Sequence, residues 1–276
     1  MKASATRVIG HRLGLAAYVL FALFPLYWLF KIAVTPEALL YSEGVRLWPS
    51  AFSLDSFTKV LTASDFPAFF RNSMMVAGGT AFFVTILAAL SGYAFSRFRF
   101  AGKAAIVALM LLTQMFPIVM LIAPIYRLMT PLGLTDNLWG LVITYTAFNV
   151  PFATFLMQSF FDGIPKELEE SAMIDGCTRF QALRKVIFPL TLPGMAATLG
   201  FVFTAAWSEL LFSLMLINSE EKMTFPVGLL TFIGKFSVDW GQMMAAGVLA
   251  LIPACLFFAL IQRYLVQGLT AGAVKG

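Results

Sequence analysis

Long apolar runs separated by short polar segments dominate the chain. A helix of about 20 residues, rising roughly 1.5 Å per residue, crosses a hydrocarbon core of about 30 Å. Six runs reach this length, so we predict an all-α, polytopic membrane protein with six transmembrane helices. The predicted spans are residues 13–34, 73–95, 104–126, 138–160, 193–217 and 243–265. We expect residues 1–276 to form a single transmembrane domain.

The composition agrees with this pattern, since 60% of the 276 residues are hydrophobic and only 12% are charged. Arg7 and Arg12 precede the first run, as in a signal peptide, but no small-residue cleavage site follows it. We therefore predict an uncleaved first span. The two cysteines, Cys177 and Cys255, have no C-x-x-C partner, and His11 is the single histidine. Neither a disulfide nor a metal site is expected.

The basic residues indicate the orientation in the membrane. Twelve of the 19 Lys and Arg residues flank the spans on the side that carries both termini, and seven lie on the other side. The short loop at 96–103, "SRFRFAGK", shows the same bias. The positive-inside rule then places both termini in the cytoplasm. Topology thus explains the net charge of +5, and nucleic acid is not expected as a partner.

Two longer segments, 35–72 and 218–242, are predicted on the outer side. The first contains "SLDSFTKVLTASDFPAFF", which predicts a short interfacial helix capped by Ser53 or Asp55. Each segment is too short for a domain but large enough to contact a partner. A solvated connector is the alternative interpretation.

A charged cytoplasmic segment, residues 162–190, separates the fourth and fifth spans. Pro165 suits the first turn of a helix over 166–175, whose first turn carries three acids near the positive end of its dipole. Gly176 can end that helix in the left-handed conformation. Thr178 can cap a second helix, which we expect Pro189 and Pro193 to break before the fifth span.

Both short helices are amphipathic, which allows two interpretations. Interfacial helices that lie on lipid usually carry Lys and Arg on the polar face. The first helix here carries Glu167, Glu169 and Glu170 instead, which anionic lipid would repel. A protein partner in the cytoplasm is therefore favoured.

The same segment carries a family motif. Its residues run Glu170-Ser171-Ala172, three residues, Gly176, nine residues, then "VIFP". This resembles the EAA loop of binding-protein-dependent ABC importers, which runs Glu-Ala-Ala, three residues, Gly, nine residues, Ile-x-Leu-Pro. Ser171 and two later hydrophobic residues are mild departures from that pattern.

The resemblance extends over almost the whole chain. "RNSMMVAG", "SGYAFSRFRFAGK", "MFPIVMLIAPIYRLMTPLGLTDN" and the ending "GLTAGAVKG" are similar to the maltose-transporter class of carbohydrate permeases, and in particular to its smaller, six-span subunit. The resemblance implies the type I ABC importer permease fold and a place in the bacterial cytoplasmic (inner) membrane, in contact with lipid. It also implies a permease subunit of an ATP-driven sugar importer.

The family further implies partners and coupling residues. The expected partners are a second, homologous permease subunit, a dimer of cytoplasmic ATPase subunits and an extracytoplasmic sugar-binding protein. ATP and Mg would be bound by the ATPase, with no cofactor in this chain and no enzymatic activity of its own. The implied coupling residues, which would contact the ATPase, are Glu170, Ser171, Ala172, Asp175 and Gly176. The C-terminal tail, 268–276, either enters the interface between the ATPase subunits or frays.

Polar residues inside apolar spans are candidates for the translocation path, because they are costly to bury in hydrocarbon. Gln114, Tyr145, Asn149, Trp207 and Glu209 meet this criterion. Pro151 frees a backbone carbonyl near Asn149, which favours a cavity there. Polar contacts between helices are the alternative role.

An ion-coupled secondary transporter is the main alternative function. Such transporters usually need paired ionisable groups near mid-membrane together with internal repeats. Glu209 is the only acid well inside a predicted span, and no repeat is evident. A membrane-embedded enzyme is disfavoured further, because the sequence has no cluster of metal ligands and no Ser-His-Asp set. The permease interpretation is the stronger one.

Overall fold

The computed structural model describes residues 5–42 and 44–273, with no strand longer than an isolated bridge in that part of the chain. The all-α prediction is thereby confirmed. The chain divides into two compact units, residues 1–67 with 228–252 and residues 68–227 with 253–276. The α-helices of the described residues are α1 Ala5–Ala33, α2 Glu37–Ser42, α3 Asp55–Thr62, α4 Phe66–Arg97, α5 Lys103–Met115, α6 Ile118–Met129, α7 Leu138–Asp162, α8 Glu167–Ile174, α9 Arg179–Ala182, α10 Phe188–Trp207, α11 Leu211–Leu216, α12 Phe225–Gly228 and α13 Trp240–Ala273.

In the first unit, α1 is the first membrane helix. Its side chains from residue 10 to residue 26 are exposed and mostly apolar, as expected of a surface that contacts lipid or another membrane subunit. The short helix predicted in this segment is present as α3, and its interfacial position stays a prediction. Its N-cap is Leu54, whose side chain makes no capping hydrogen bond, and not Ser53 or Asp55 as we predicted. The hydroxyl of Ser53, one residue earlier, accepts a hydrogen bond from the N–H of Asp55 at 2.9 Å.

In the second unit, small residues bring the long helices close together. A Cβ at Gly92 of α4 would lie 2.8 Å from the backbone N of Gln158 in α7. A Cβ at Gly194 of α10 would lie 2.4 Å from the ring of Phe160. Glycine is thus needed where these helices approach each other, the usual solution in membrane bundles.

Five helices of the described residues are long and apolar enough to span a membrane, and a bent pair makes up to six. The bent pair is α5 and α6, which meet at an angle of 104° within the predicted third span, 104–126. Pro117 explains the bend, because a residue before proline avoids the helical conformation. Phe116 accordingly adopts an extended conformation, with φ −76° and ψ 130°.

The fifth predicted span, 193–217, also differs from a single straight helix. A helix runs from Arg179 to Trp207, so Pro189 and Pro193 do not break it as expected. A π-helical turn at Leu183–Ile187 precedes α10, and the Phe188 N–H donates to the carbonyl of Leu183. The shifted hydrogen bonds of such a turn accommodate a proline that lacks a donor. The span is interrupted later instead, between α10 and α11.

The remaining boundaries differ mainly in length. The second, fourth and sixth predicted spans correspond to α4, α7 and α13, which extend beyond them by up to eight residues at an end. The tail at 268–276 continues α13 as far as Ala273, and residues 274–276 lie outside the described part of the chain. The predicted cytoplasmic side of the two termini stays a prediction.

Candidate functional site

The segment between α7 and α10 is built from two short helices, as the sequence predicts. The helix α8 ends in two hydrogen bonds, from Gly176 N–H to the Met173 carbonyl at 3.1 Å and from Cys177 N–H to the Ala172 carbonyl at 3.0 Å. This pair of bonds is a Schellman motif. Gly176 has φ +91°, which a residue with a side chain rarely adopts.

The second helix, α9, begins at a reciprocal cap. The Thr178 hydroxyl accepts from Gln181 N–H at 3.3 Å, and the Gln181 side chain accepts from Thr178 N–H at 2.8 Å. Such a capping box satisfies two backbone donors at once. One residue, Cys177, therefore separates the glycine cap of α8 from Thr178, the N-cap of α9, and the turn between the helices is fixed by local bonds at both ends.

The predicted coupling residues lie together on this segment but differ in exposure. Ala172 is buried, whereas the other four, at positions 170, 171, 175 and 176, are exposed. Apolar side chains accompany them at the surface, with Ile174 at 85% exposure and Phe180 at 70%. Large apolar side chains exposed beside carboxylates are typical of a surface that another protein covers.

An ion cluster that the sequence did not predict lies beneath this surface. Glu169 is 5% exposed and accepts a hydrogen bond from the Tyr93 hydroxyl at 2.6 Å. Its other carboxylate oxygen lies 3.3 Å from Nε of Arg97, whose side chain is 5% exposed. Arg179 lies 3.7 Å away and stacks over the ring of Phe98 at 5.2 Å. The only sign of this cluster in the sequence is Glu169 itself, an acid in the first turn of α8 that lies one residue before the EAA-like motif.

The last turn of α4 makes two further contacts with this segment. A terminal nitrogen of Arg97 donates to the carbonyl of Ile164 at 2.9 Å. The Ser96 hydroxyl donates to a carboxylate oxygen of Asp162 at 2.6 Å. The end of α4 is therefore bonded to the end of α7 and to the loop that leads into α8.

Four of the five predicted path residues surround one cavity of about 250 Å³. They are Gln114, Tyr145, Asn149 and Glu209. Aromatic residues at 116, 148 and 212 line the same cavity, so it presents apolar faces together with a few polar groups. A site of this composition suits a polar organic molecule with apolar faces.

The carboxylate of Glu209 fixes the interruption between α10 and α11. One oxygen accepts from the N–H of Phe212 at 3.0 Å, and the other accepts from Ser213 N–H at 3.3 Å and from the Tyr145 hydroxyl at 2.5 Å. These bonds cap the N-terminus of α11 and join it to α7. The structure gives this acid a positioning role in addition to its place on the cavity wall.

Trp207, the fifth predicted path residue, lies away from the cavity lining. It is 3% exposed and packs in an aromatic cluster with Phe70, Phe203 and Phe225, at centroid distances of 5.4, 5.7 and 4.7 Å. Aromatic pairs of this kind contribute to helix packing.

A second cluster, centred on Asp136, lies between α6 and α7. Its carboxylate accepts from the N–H groups of Asn218 and Ser219 and from the Lys222 ammonium, the last at 2.7 Å. The Lys222 hydrogen bond, reinforced by those from Ser219, holds the pKa of Asp136 well below its usual range. Asp136 has φ +51°, so these bonds also offset an uncommon backbone conformation. The cluster fixes one end of the predicted outer segment 218–242.

Comparison with known proteins decides the family. Residues 81–271, more than half of the chain, match the family described as "Binding-protein-dependent transport system inner membrane component". The chain belongs to that family. The resemblance inferred from the EAA-like motif is confirmed, and this permease is a multi-pass protein of the inner membrane.

Similar permeases come from sugar-uptake systems. The permease is 37% identical to the diacetylchitobiose uptake system permease protein DasC of Streptomyces coelicolor, over 95% of this chain and 96% of the relative. It is 34% identical to the trehalose transport system permease protein SugB of Mycobacterium tuberculosis, over 93% of each chain. It is 28% identical to the maltodextrin transport system permease protein MdxG of Bacillus subtilis over the full length of both. This permease is accordingly of the carbohydrate-uptake ABC importer class.

A solved structure shares the fold. The permease superposes on a chain of a bacterial ABC transporter that imports the acidic polysaccharide alginate, with a TM-score of 0.80 and 24% identity, over 96% of this chain and 99% of that one. The likeness supports the ABC importer permease fold that the sequence predicts.

Proposed function

We propose that this chain is a permease subunit that lines the path of a sugar and couples its movement to a cytoplasmic ATPase. The proposed complex also contains a second, homologous permease and an extracytoplasmic sugar-binding protein. A related transporter has been solved in complex with a periplasmic protein that carries an alginate pentasaccharide, which supports the last of these partners. ATP and Mg would bind to the ATPase dimer, which would carry the enzymatic activity.

One observation carries the proposal of coupling. The segment between α7 and α10 presents exposed Ile174 and Phe180 beside the exposed acid Glu170, on helices whose ends are fixed by a Schellman motif and a capping box. A rigid, amphipathic surface of this kind suits a protein partner, and a rigid body transmits a displacement without being deformed. Glu170, Ser171, Ala172, Asp175 and Gly176 are the proposed coupling residues.

The cavity between α5, α7 and α10 supports the proposed path. Its aromatic walls can stack on the apolar faces of sugar rings. Gln114 and Asn149 supply amide groups, although the structure already pairs each with a backbone carbonyl, at 3.2 and 2.8 Å. Amide oxygens can still accept from sugar hydroxyls. Diacetylchitobiose, trehalose and maltodextrin, named for the relatives, form a sugar panel for the first uptake assays.

The direct test is purification of the tagged chain from native membranes in mild detergent, with the accompanying proteins identified by mass spectrometry. We expect an ATPase, a second permease and a sugar-binding protein. An Ile174→Ser variant should retain less ATPase, because it removes exposed apolar area from the proposed contact. Phe236→Ser is the matched control, since Phe236 is 92% exposed but lies on the predicted outer side. Recovery of the chain alone, active in uptake without ATP, would support a secondary transporter instead.

A further inference from the structure

The helix α8 buries a carboxylate where an apolar side chain would be less costly. Glu169 and Ala172 are its buried residues. A carboxylate removed from water loses its hydration and must be compensated by close partners. Well-packed apolar residues can often replace a buried ion pair without loss of stability. Stability alone therefore does not explain an acid at position 169. The acid is explained by the specific contacts that a carboxylate makes with its partners there.

Those partners join three elements at one carboxylate. Tyr93 and Arg97 belong to α4, at 2.6 and 3.3 Å, and Arg179 belongs to α9, at 3.7 Å. The contacts to α4 are buried, whereas Arg179 is 54% exposed and its contact is more screened by water. The stronger connection therefore runs from α8 to α4.

The second span needs noncovalent contacts if α8 is to move it. In sequence, α8 leads into α9 and α10 on one side and follows α7 on the other, so the backbone connects it with the fourth and fifth spans. The end of α4 is more than 60 residues away in the chain. Arg97 contacts both the carboxylate of Glu169 and the carbonyl of Ile164, at 2.9 Å for the latter. Its guanidinium thus holds α8 and the loop before it against one turn of α4.

We propose that Glu169 is a positioning residue which, through Arg97 and Tyr93, makes α8 and the last turn of α4 move as one body. This inference rests on the proposed function, since it assumes that an ATPase displaces α8. The displacement then reaches the second span directly, in addition to the fourth and fifth spans. Loss of the link leaves the complex assembled but wastes ATP, because α8 moves without α4.

The functional test compares variants in the reconstituted complex. Glu169→Gln removes the charge, Arg97→Gln removes its buried partner, and the double variant leaves neither charge unpaired. Tyr93→Phe is the mildest change, because it removes one hydrogen bond and keeps the ion pair. Glu167→Gln is the control, since Glu167 is an exposed acid of the same helix. The readouts are the yield of assembled complex and the ATP hydrolysed per molecule imported from the sugar panel.

We expect Glu169→Gln to raise that ratio by about tenfold, the scale of a typical coupling between sites, with Tyr93→Phe intermediate and the control unchanged. The double variant should stay uncoupled. A double variant that regains the wild-type ratio would overturn the proposal, because the cluster would then serve only to neutralise buried charge. A wild-type ratio in Glu169→Gln would overturn it as well.

A distance measurement tests the link without a substrate. Spin labels are placed at exposed positions 99 and 166, after Cys177 and Cys255 are changed to Ser, and the complex is trapped with Mg-ATP and vanadate. We expect the distance distribution to stay the same on trapping in the wild type and to shift in Glu169→Gln. A wild-type distance that shifts as much as the variant's contradicts the proposal. Sugar import by the wild type without ATP hydrolysis would contradict the proposed function instead, and would be seen before any variant is made.

Discussion

Gly176 offers the cleanest test of the cap that ends α8. Its φ of +91° lies in the region that favours glycine, and no heavy atom lies within 4 Å of the position that a Cβ would take. A Gly176→Ala substitution therefore adds backbone strain without a steric clash. The left-handed conformation costs a residue with a Cβ about 1 to 2 kcal/mol. The capped geometry should become roughly 5- to 30-fold less favoured relative to uncapped ones.

The residue at position 176 should determine how strongly ATP hydrolysis is uncoupled from uptake, in a definite order. Asparagine tolerates the left-handed region better than alanine, so Gly176→Asn should be the mildest change. Gly176→Pro should be the most severe, because proline cannot reach positive φ and lacks the N–H that bonds to Met173. We expect ATP hydrolysed per imported sugar to rise in that order, while the complex still assembles.

The assay uses proteoliposomes that contain the purified complex, with ATP hydrolysis and sugar uptake measured in the same preparation. Gly102→Ala is the matched control, because Gly102 has φ +85° and equally open surroundings but lies outside the segment between α7 and α10. It should lower stability to a similar extent without uncoupling transport. Normal uptake by Gly176→Pro, or equal uncoupling by Gly102→Ala, would refute the reasoning.

Three further changes follow from the packing and the polar clusters. Gly92→Ala should lower the Tm of the solubilised complex, since overpacking against α7 costs about 1 to 3 kcal/mol. Gly78→Ala should leave the Tm unchanged, because no atom lies within 4 Å of the added Cβ, and equal Tm values for the two variants would contradict the contact between α4 and α7. Glu209→Ala should lower Tm and uptake more than Tyr145→Phe does, because it removes the acceptor of three bonds rather than one donor, and the reverse order would count against the capping role. Asp136→Asn should lower Tm at pH 7. The folded-state pKa of Asp136 is depressed, so the ionised carboxylate stabilises the fold above its ordinary pKa of about 4, and this contribution fades as pH falls further. The Tm difference between wild type and Asp136→Asn should therefore narrow in acid, and a difference that stays constant with pH would contradict this.

Local signals in the sequence predicted much of the local structure of the segment between α7 and α10. The end of α8 depends on Gly176 and the start of α9 on Thr178, and each residue type has a specific backbone or capping role. Pro165 lies outside the helix in whose first turn we expected it, because Lys166 is the N-cap of α8. Hydrophobic run length predicted the spans, because it reflects the thickness of the bilayer. These features follow from short-range physics and from composition.

Features that depend on tertiary partners could not be predicted in the same way. The burial of Glu169 requires Tyr93 and Arg97, more than 70 residues away in sequence, and nothing in the first turn of α8 distinguishes it from its exposed neighbour Glu170. The continuity of the helix through Pro189 required a π-helical turn, which the apolar pattern does not signal. Pro117 did carry a local signal for the bend between α5 and α6, and the run-length criterion overlooked it.

The central claim is that ATP hydrolysis by a partner drives sugar import through this permease. The most direct measurement is uptake of the sugar panel, presented with the co-purified binding protein, by proteoliposomes that contain the purified complex. Mg-ATP is supplied on the ATPase side, and ionophores collapse every ion gradient. We predict uptake that requires ATP and persists without any gradient. Uptake that needs an imposed proton or sodium gradient and proceeds without ATP would contradict it.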